Sequence, residues 1–181
     1  RHSFEFIGIA LHFAMLVCHR LKHALSVPRP NDFSVQVQPL LQTPGWAAFP
    51  SGHATEAFMF ARLMRALLKQ DETSPVQEAL QLQAKGIADN RVVAGLHFPV
   101  DGVAGRLLGE TLAEYVLALC DQGPWLDRTF VGSQGDVPMA DLDLAHTLTA
   151  GAAVPGYYKL GTAQTCVARD LLKHLWGKAR E

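Results

Sequence analysis

The sequence predicts an all-α protein built around one hydrophobic core, and three observations support this prediction. Hydrophobic residues make up 49% of the 181 residues and charged residues 18%, which is typical of a compact globular chain. Five stretches have the composition or the apolar spacing of helices, and most are bounded by prolines or capping residues. No segment is convincing as a strand, and no repeat or low-complexity tract is present.

The first predicted helix runs from Ser3 to Leu25. It is apolar almost all round between Phe4 and Cys18, which is typical of a helix buried either in a protein core or in lipid. The apolar run is shorter than the roughly 20 residues needed to cross a bilayer, so we favour a central core helix. Pro28 and Pro30 end it, because proline lacks an N–H donor and restricts the residue before it.

Three further helices follow a loop from Asn31 to Phe49, whose length is typical of functional loops. Their predicted starts carry capping residues or prolines, and their interiors repeat apolar residues at helical spacing. The predicted bounds are Gly52 to Lys69, Pro75 to Ala94, and Val100 to Cys120.

Glycines and prolines break up the chain after Gly123. We predict a short helix around Asp141 to Leu148 and a last helix from Ala163 to Lys178. The expected organisation is a single domain over residues 1–181, with a core over 1–120 and an irregular and helical extension over 121–181. The extension either covers a pocket or forms a subunit contact. Because the chain begins at Arg1 without methionine, we expect a piece of a longer protein.

Charge and cysteine content exclude several classes of protein. The net charge is −1 and no basic run occurs, so we expect no nucleic-acid partner. Cys18, Cys120 and Cys166 are too far apart for a zinc site or a disulfide framework, and we expect buried free thiols.

Three clusters of anion-binding residues lie along the predicted helices. Their spacings are K-x(6)-R-P, P-S-G-H and R-x(5)-H-x(3)-D, formed by Lys22, Arg29 and Pro30, by Pro50 to His53, and by Arg91, His97 and Asp101. Each has an ordinary structural explanation by itself, such as solvated helix-end charges, a capped helix, an ion pair or a core histidine. Their joint occurrence predicts a site for a tetrahedral oxyanion.

The second cluster has the chemistry of a helix N-terminus that binds anions. Ser51 is a good N-cap, Gly52 lets the backbone approach a ligand, and unpaired N–H groups there combine with the helix dipole. His53 lies in the first turn, where it can exchange a proton with the anion. In the third cluster, Asp101 lies one helical turn after His97 and can hold one imidazole nitrogen while the other stays free.

These motifs resemble those of the superfamily that unites type-2 phosphatidic acid phosphatases, bacterial class A acid phosphatases and vanadium-dependent haloperoxidases. The motifs span Lys22 to Asp101, and the helical bundle of that superfamily would extend to about Cys120. One departure is Asn90, where the family usually has serine. The resemblance implies a single helical catalytic domain of the acid phosphatase and haloperoxidase type.

The resemblance also implies the roles of the motif residues. The oxygens of phosphate or vanadate would be bound by Lys22, Arg29 and Arg91, with hydrogen bonds from Ser51 and the backbone N–H of Gly52. In the phosphatases, the residue matching His97 is the nucleophile that forms a phosphohistidine, Asp101 orients it, and His53 protonates the leaving alcohol. In the haloperoxidases, His97 would be the vanadium ligand and His53 the acid–base partner.

Three functions follow from the resemblance. The first is a metal-independent phosphomonoesterase, which leads because hydrolysis needs no cofactor. The second is a vanadium haloperoxidase that uses halide and peroxide and needs bound vanadate. The third is an oxyanion-binding module without catalysis, which the presence of both histidines and Asp101 disfavours. Trp46 either lines the pocket or packs the loop, and His19 faces either the site or a neighbouring helix.

Location and assembly are also expectations at this point. The predicted helices from Gly52 to Lys69 and from Val100 to Cys120 carry too much charge for lipid-spanning segments, at Arg62, Arg65, Lys69, Arg106, Glu110 and Glu114. We therefore expect a soluble enzyme acting on small molecules, without membrane association and with the option of a homo-oligomer. The resemblance favours a periplasmic or secreted location.

Overall fold

The computed structural model describes residues 1–132 and 158–181. They form six helices and a two-stranded antiparallel sheet: α1 (His2–Leu25), α2 (Pro30–Phe33), α3 (Gly52–Leu67), α4 (Pro75–Val93), α5 (Pro99–Leu119), β1 (Trp125–Phe130), β2 (Tyr158–Gln164) and α6 (Asp170–Ala179). The predicted mainly helical fold is confirmed. The four long helices begin and end within two residues of the predicted bounds, while the predicted helix at 141–148 lies outside the described residues.

The prediction that the chain contains no strands is wrong. In β1 and β2, Trp125 pairs with Gln164 and Phe130 with Tyr158. The last helix consequently begins at Asp170 and not at Ala163. Both strands are short and largely exposed on one side, so neither has a strong alternating pattern, and they are separated by more than 25 residues of sequence.

Helix α1 is peripheral, in contrast to the central position predicted for it. One stripe, which includes Phe6, Ala14 and Cys18, is buried against α3, α5 and α6. The opposite side is exposed, with Phe4 85% and Leu16 64% accessible. By length and composition, the segment 2–33 contains the one helix among the described residues that could cross a membrane, and 28% of its apolar window is buried. A helix of a soluble protein and an N-terminal signal sequence meet the same criteria.

Helix α3 is the centre of the bundle and packs against α1, α4 and α5. Its contact with α5 is unusually close because of two glycines. A Cβ atom on Gly105 would lie 2.6 Å from the carbonyl oxygen of Ser51, and one on Gly109 would lie 2.3 Å from that of Thr55. The absence of side chains at these positions lets α5 lie directly against the first two turns of α3.

The described part of the C-terminal extension packs onto this bundle. Arg128 of β1 forms a bidentate pair with Glu114 of α5, with both N···O distances 2.8 Å. Phe130 contacts Phe49, three residues before the start of α3, with ring centroids 5.2 Å apart. On the other side, Trp176 of α6 packs against α1. The division into a core and an extension stays a prediction.

The cysteines are free, as expected from their spacing. Cys18 and Cys120 are buried and Cys166 is partly buried. Burial raises the pKa of the Cys18 thiol and raises that of Cys120 to about 11. Neither thiol is therefore ionised at neutral pH, which agrees with a packing role.

Candidate anion-binding active site

The start of α3 is tied to the start of α5. Ser51 is the N-cap of α3, and its Oγ accepts a hydrogen bond from the backbone N–H of Ala54 at 3.4 Å. The backbone N–H of Ser51 donates to the carbonyl oxygen of Asp101 at 2.9 Å. The N–H groups of the first turn, including those of Gly52 and His53, have no acceptor within the helix and are available to an anion.

The side chains around Gly52 do not require a glycine at this position. A Cβ atom there would lie 3.9 Å from Cys18 Sγ and 4.0 Å from Lys22 Cε, which are ordinary contacts. The neighbouring side chains therefore tolerate an alanine. Close approach of a ligand to this backbone stays a prediction.

Lys22 and Arg29 are buried cations held by backbone carbonyls. Lys22 Nζ donates to the carbonyl oxygens of Ala47 at 2.8 Å and Ala48 at 2.6 Å. Arg29 Nε donates to the carbonyl oxygen of Trp46 at 2.9 Å. Arg29 also donates from Nη1 to the carbonyl oxygen of Leu96 at 2.9 Å and from Nη2 to that of Ala47 at 3.3 Å. Both side chains thus connect the end of α1 to the loop before α3, and each retains an N–H donor beyond these bonds.

Burial also changes the acidity of these two cations. It lowers the pKa of Lys22 to about 8, with a further contribution from the positive charge of Arg29. It lowers the pKa of Arg29 as well, against the opposing effect of Asp101. A bound anion would offset this loss of hydration, so the site favours a negatively charged ligand.

His97 and Asp101 form a buried pair with a defined orientation. His97 Nδ1 lies 2.9 Å from Asp101 Oδ2, and the same oxygen accepts the backbone N–H of Phe98 at 2.9 Å. Because a carboxylate accepts, we assign the imidazole proton to Nδ1, which leaves Nε2 unprotonated. Nε2 accepts a long hydrogen bond from Arg29 Nη1 at 3.5 Å and so faces the cations.

The imidazole of His97 is favoured in its neutral form. Burial is the largest influence on the pKa of His97 and lowers it, against the opposing hydrogen bond and charge of Asp101. Lys22 and Arg29 lower the pKa of His97 further. A neutral imidazole with a free Nε2 is the form required of a nucleophile or a metal ligand.

His53 lies at the edge of the same cluster. Its side chain is exposed, in the first turn of α3. Partial burial lowers the pKa of His53, and the charges of Arg91, His97, Lys22 and Arg29 lower it further. His53 is therefore close enough to the cations to respond to them, and its open position suits a group that exchanges protons with a substrate.

Arg91 supplies a donor that lacks an acceptor. It lies in the last turn of α4, and its Nε is buried without a hydrogen-bond partner among residues 1–132 and 158–181. A buried donor left unpaired costs about 1–3 kcal/mol. An oxyanion at this position would provide the missing acceptor.

The structure thus brings the three predicted clusters together at one end of the bundle, while the roles of their residues stay predictions. The carbonyls of Trp46, Ala47 and Ala48 were not predicted as partners of the cations, since backbone acceptors have no signature in a sequence. Gly105 and Gly109 were not predicted either, although their G-x(3)-G spacing is a signal of close helix packing.

Trp46 and His19 pack against each other beside the site. Their rings meet edge to face with centroids 5.1 Å apart, and Trp46 is 52% exposed. Both line a cavity of about 820 Å³ that also reaches Lys22 and Arg29. Trp46 therefore packs against α1, while its place in the pocket beside His53 stays a prediction.

A helical bundle that collects three cations, two histidines and a helix N-terminus defines a class of oxyanion-binding proteins. Residues 6–122 match the family model of the PAP2 superfamily, which is well over half of the chain, and the chain belongs to that superfamily. The predicted resemblance is confirmed. Membership indicates an enzyme, either a phosphatase or a haloperoxidase.

The chain is also similar to a vanadium-dependent bromoperoxidase of Ascophyllum nodosum. The two are 26% identical over 119 residues, which cover 50% of this chain and 21% of the relative. The chain thus spans about a fifth of the length of that relative.

Proposed function

We propose that this protein is a metal-independent phosphomonoesterase that acts through a phosphohistidine on His97. The observation that carries the proposal is the orientation of the His97 ring, with Nδ1 bound to Asp101 and Nε2 directed towards Arg29. This arrangement points a neutral nitrogen lone pair at the place where the cations would hold a phosphate.

In the first step, His97 Nε2 attacks phosphorus and the bond from phosphorus to the ester oxygen breaks. His53 gives its proton to that oxygen, so the alcohol leaves neutral. The imidazole of His97 becomes positively charged on phosphorylation, and the carboxylate of Asp101 stabilises this charge through Nδ1.

In the second step, a water molecule attacks the phosphorus of the phosphohistidine. His53, now neutral, accepts a proton from the water, and the bond between phosphorus and Nε2 breaks. Inorganic phosphate leaves, and His97 returns to its neutral form. His53 has regained the proton that it gave up in the first step.

Lys22, Arg29 and Arg91 stabilise the charge on the phosphoryl oxygens during both steps. Phosphoryl transfer depends mainly on such positioned positive charge. Because Lys22 and Arg29 are already held by backbone carbonyls, they need little reorganisation when the substrate binds.

A vanadium haloperoxidase is the second candidate, favoured by the similarity to the bromoperoxidase of Ascophyllum nodosum. The residues fit vanadate, since the buried Arg91 Nε needs an acceptor and the unprotonated His97 Nε2 is a suitable imidazole ligand. Lys22 and Arg29 would also bind its oxygens. Bound vanadate would supply the Lewis acid that activates hydrogen peroxide for halide oxidation.

Hydrolysis of p-nitrophenyl phosphate in excess chelator, from mildly acidic to neutral pH, tests the first candidate. We expect turnover by the native protein, no turnover by His97→Asn, and native turnover by His174→Ala. Asparagine keeps a donor towards Asp101 but has no nucleophilic nitrogen, and His174 is an exposed histidine on α6. Full activity of His97→Asn would refute the assignment of the nucleophile.

The same samples distinguish the remaining candidates. Bromide oxidation after addition of orthovanadate and peroxide, without phosphatase activity, would favour the haloperoxidase. Phosphate binding by calorimetry without either activity would favour an oxyanion-binding module.

A further inference from the structure

A groove lies between α3 and α4, with Leu11 of α1 also in its lining, beside the anion site. It encloses about 310 Å³ and is lined mainly by apolar side chains. The lining residues recur at helical spacing on both helices, and they include His53, Glu56 and Phe60 on α3 and Leu80, Ala84 and Ile87 on α4. At about 30 Å³ for a water-sized group, the volume holds roughly ten non-hydrogen atoms.

The groove leads away from the phosphate position. Helix α3 begins at the anion site with His53, and α4 ends there with Arg91, so the two helices run antiparallel. Arg91 follows Ile87 by one turn on the face that lines the groove. From His53 to Phe60 the groove extends about 10 Å, at 1.5 Å per residue. A substituent on the ester oxygen of a bound phosphate would enter this groove past His53.

Glu56 is the acidic residue in the groove lining. It lies one turn after His53, about 4.5 Å further along the axis of α3. Its side chain is half-buried, and it forms no hydrogen bond or ion pair with any residue in the described ranges 1–132 and 158–181. Burial raises the pKa of its carboxyl group, while His19 on α1 lowers it.

A carboxylate between apolar walls is costly without a partner of opposite charge. The groove itself is otherwise suited to a hydrocarbon chain, whose burial is favourable by roughly 0.8 kcal/mol per methylene group. A ligand that satisfies both features combines an apolar chain with a cationic group close to the phosphate.

We propose that the α3–α4 groove binds the leaving group of the phosphate ester and that Glu56 selects leaving groups that carry an ammonium group near the ester oxygen. This inference rests on the proposed function only in treating the bound group as the leaving group of a reaction. If the protein binds the ester without turnover, the groove, the carboxylate and the anion site still define the same ligand, an apolar amino-alkyl phosphate.

The test compares hexyl phosphate with 2-aminohexyl phosphate, two ligands that differ only in the ammonium group. Their affinities are measured by calorimetry in the His97→Asn background, where no turnover consumes the ligand. We expect about tenfold tighter binding of the amine, which corresponds to one modest charge pair. Glu56→Gln should bring the ratio of the two affinities to about one, whereas Glu78→Gln, on the exposed side of α4, should leave it unchanged.

A ratio that stays the same in Glu56→Gln would overturn the role of Glu56. The position of the chain is tested separately with Ala57→Leu, which adds a side chain to the groove lining. It should weaken binding of hexyl phosphate and leave binding of inorganic phosphate unchanged. Equal binding of hexyl phosphate by this variant and its parent would overturn the groove assignment. Failure of the proposed function is distinguishable, because it removes hydrolysis by the native protein and leaves these affinity ratios intact.

Discussion

Replacing Gly105 by alanine tests how closely α5 must approach the start of α3. The added Cβ would lie 2.6 Å from the carbonyl oxygen of Ser51 and 2.7 Å from Ala54 Cβ. Reaching ordinary contact at 3.4 Å requires the two helices to separate locally by about 0.8 Å. The first obstacle is backbone that is already hydrogen-bonded within α3, so it cannot yield as a flexible side chain would.

We expect Gly105→Ala to lower the free energy of unfolding by about 1–3 kcal/mol, the usual cost of overpacking. Gly86→Ala is the matched control. Gly86 lies inside α4 with nothing within 4 Å of a Cβ, and its substitution should raise the free energy of unfolding by about 0.5–1 kcal/mol. Urea denaturation measures both values. If the two variants are stabilised alike, the helices do not approach as closely as described.

The same variants report on the site. Gly105→Ala displaces Ser51, whose N–H is bonded to Asp101, so we expect weaker binding of inorganic phosphate by calorimetry. Gly109→Ala clashes with Thr55, one turn further from the site. It should destabilise the protein at least as much and weaken phosphate binding less.

The further predictions concern charges. Burial lowers the pKa of Lys22 to about 8, so phosphate binding should weaken about tenfold between pH 8 and pH 9–10. Lys22→Arg should remove this dependence, because arginine stays charged. An alkaline profile that is unchanged in this variant would contradict the assignment. Asp101→Asn removes the group that raises the pKa of His97, so the acidic limb of the pH profile of kcat/KM should move to lower pH. A shift of this limb to higher pH would exclude the proposed pairing of His97 with Asp101. For stability, the lowered pKa of His97 stabilises the fold at pH above the unfolded value of about 6.5, and this contribution is lost as pH falls through the folded value. Glu114→Ala breaks a buried ion pair with Arg128 and should cost about 3–5 kcal/mol in urea denaturation; a loss below 1 kcal/mol would show that the pair is dispensable.

The residues of the candidate site were largely predictable from sequence, because each lies at a fixed distance along the chain from a helix end. Ser51 and Gly52 begin α3, and Asp101 lies in the first turn of α5, so their spacing already placed N–H groups and a carboxylate on defined turns. Capping and the pairing of residues four apart depend on neighbours in sequence. The contact between Arg29 and His97 was not predictable in this way, because 68 positions separate the two residues.

The chain by itself determined the helices, their order and the residue types that gather at one end of the bundle. A helix forms its backbone hydrogen bonds between residues four apart, so its start, its end and its apolar face are determined by residues that are close in sequence. The tertiary structure decided that β1 pairs with β2, that α1 lies at the periphery with an exposed apolar side, and that Gly105 and Gly109 bring α5 against α3. These features arise from contacts between residues distant in sequence, whose partners no local pattern specifies. The burial that lowers the pKa values of Lys22 and His97 belongs to this second group, because it exists only when the surrounding helices and loop are in place.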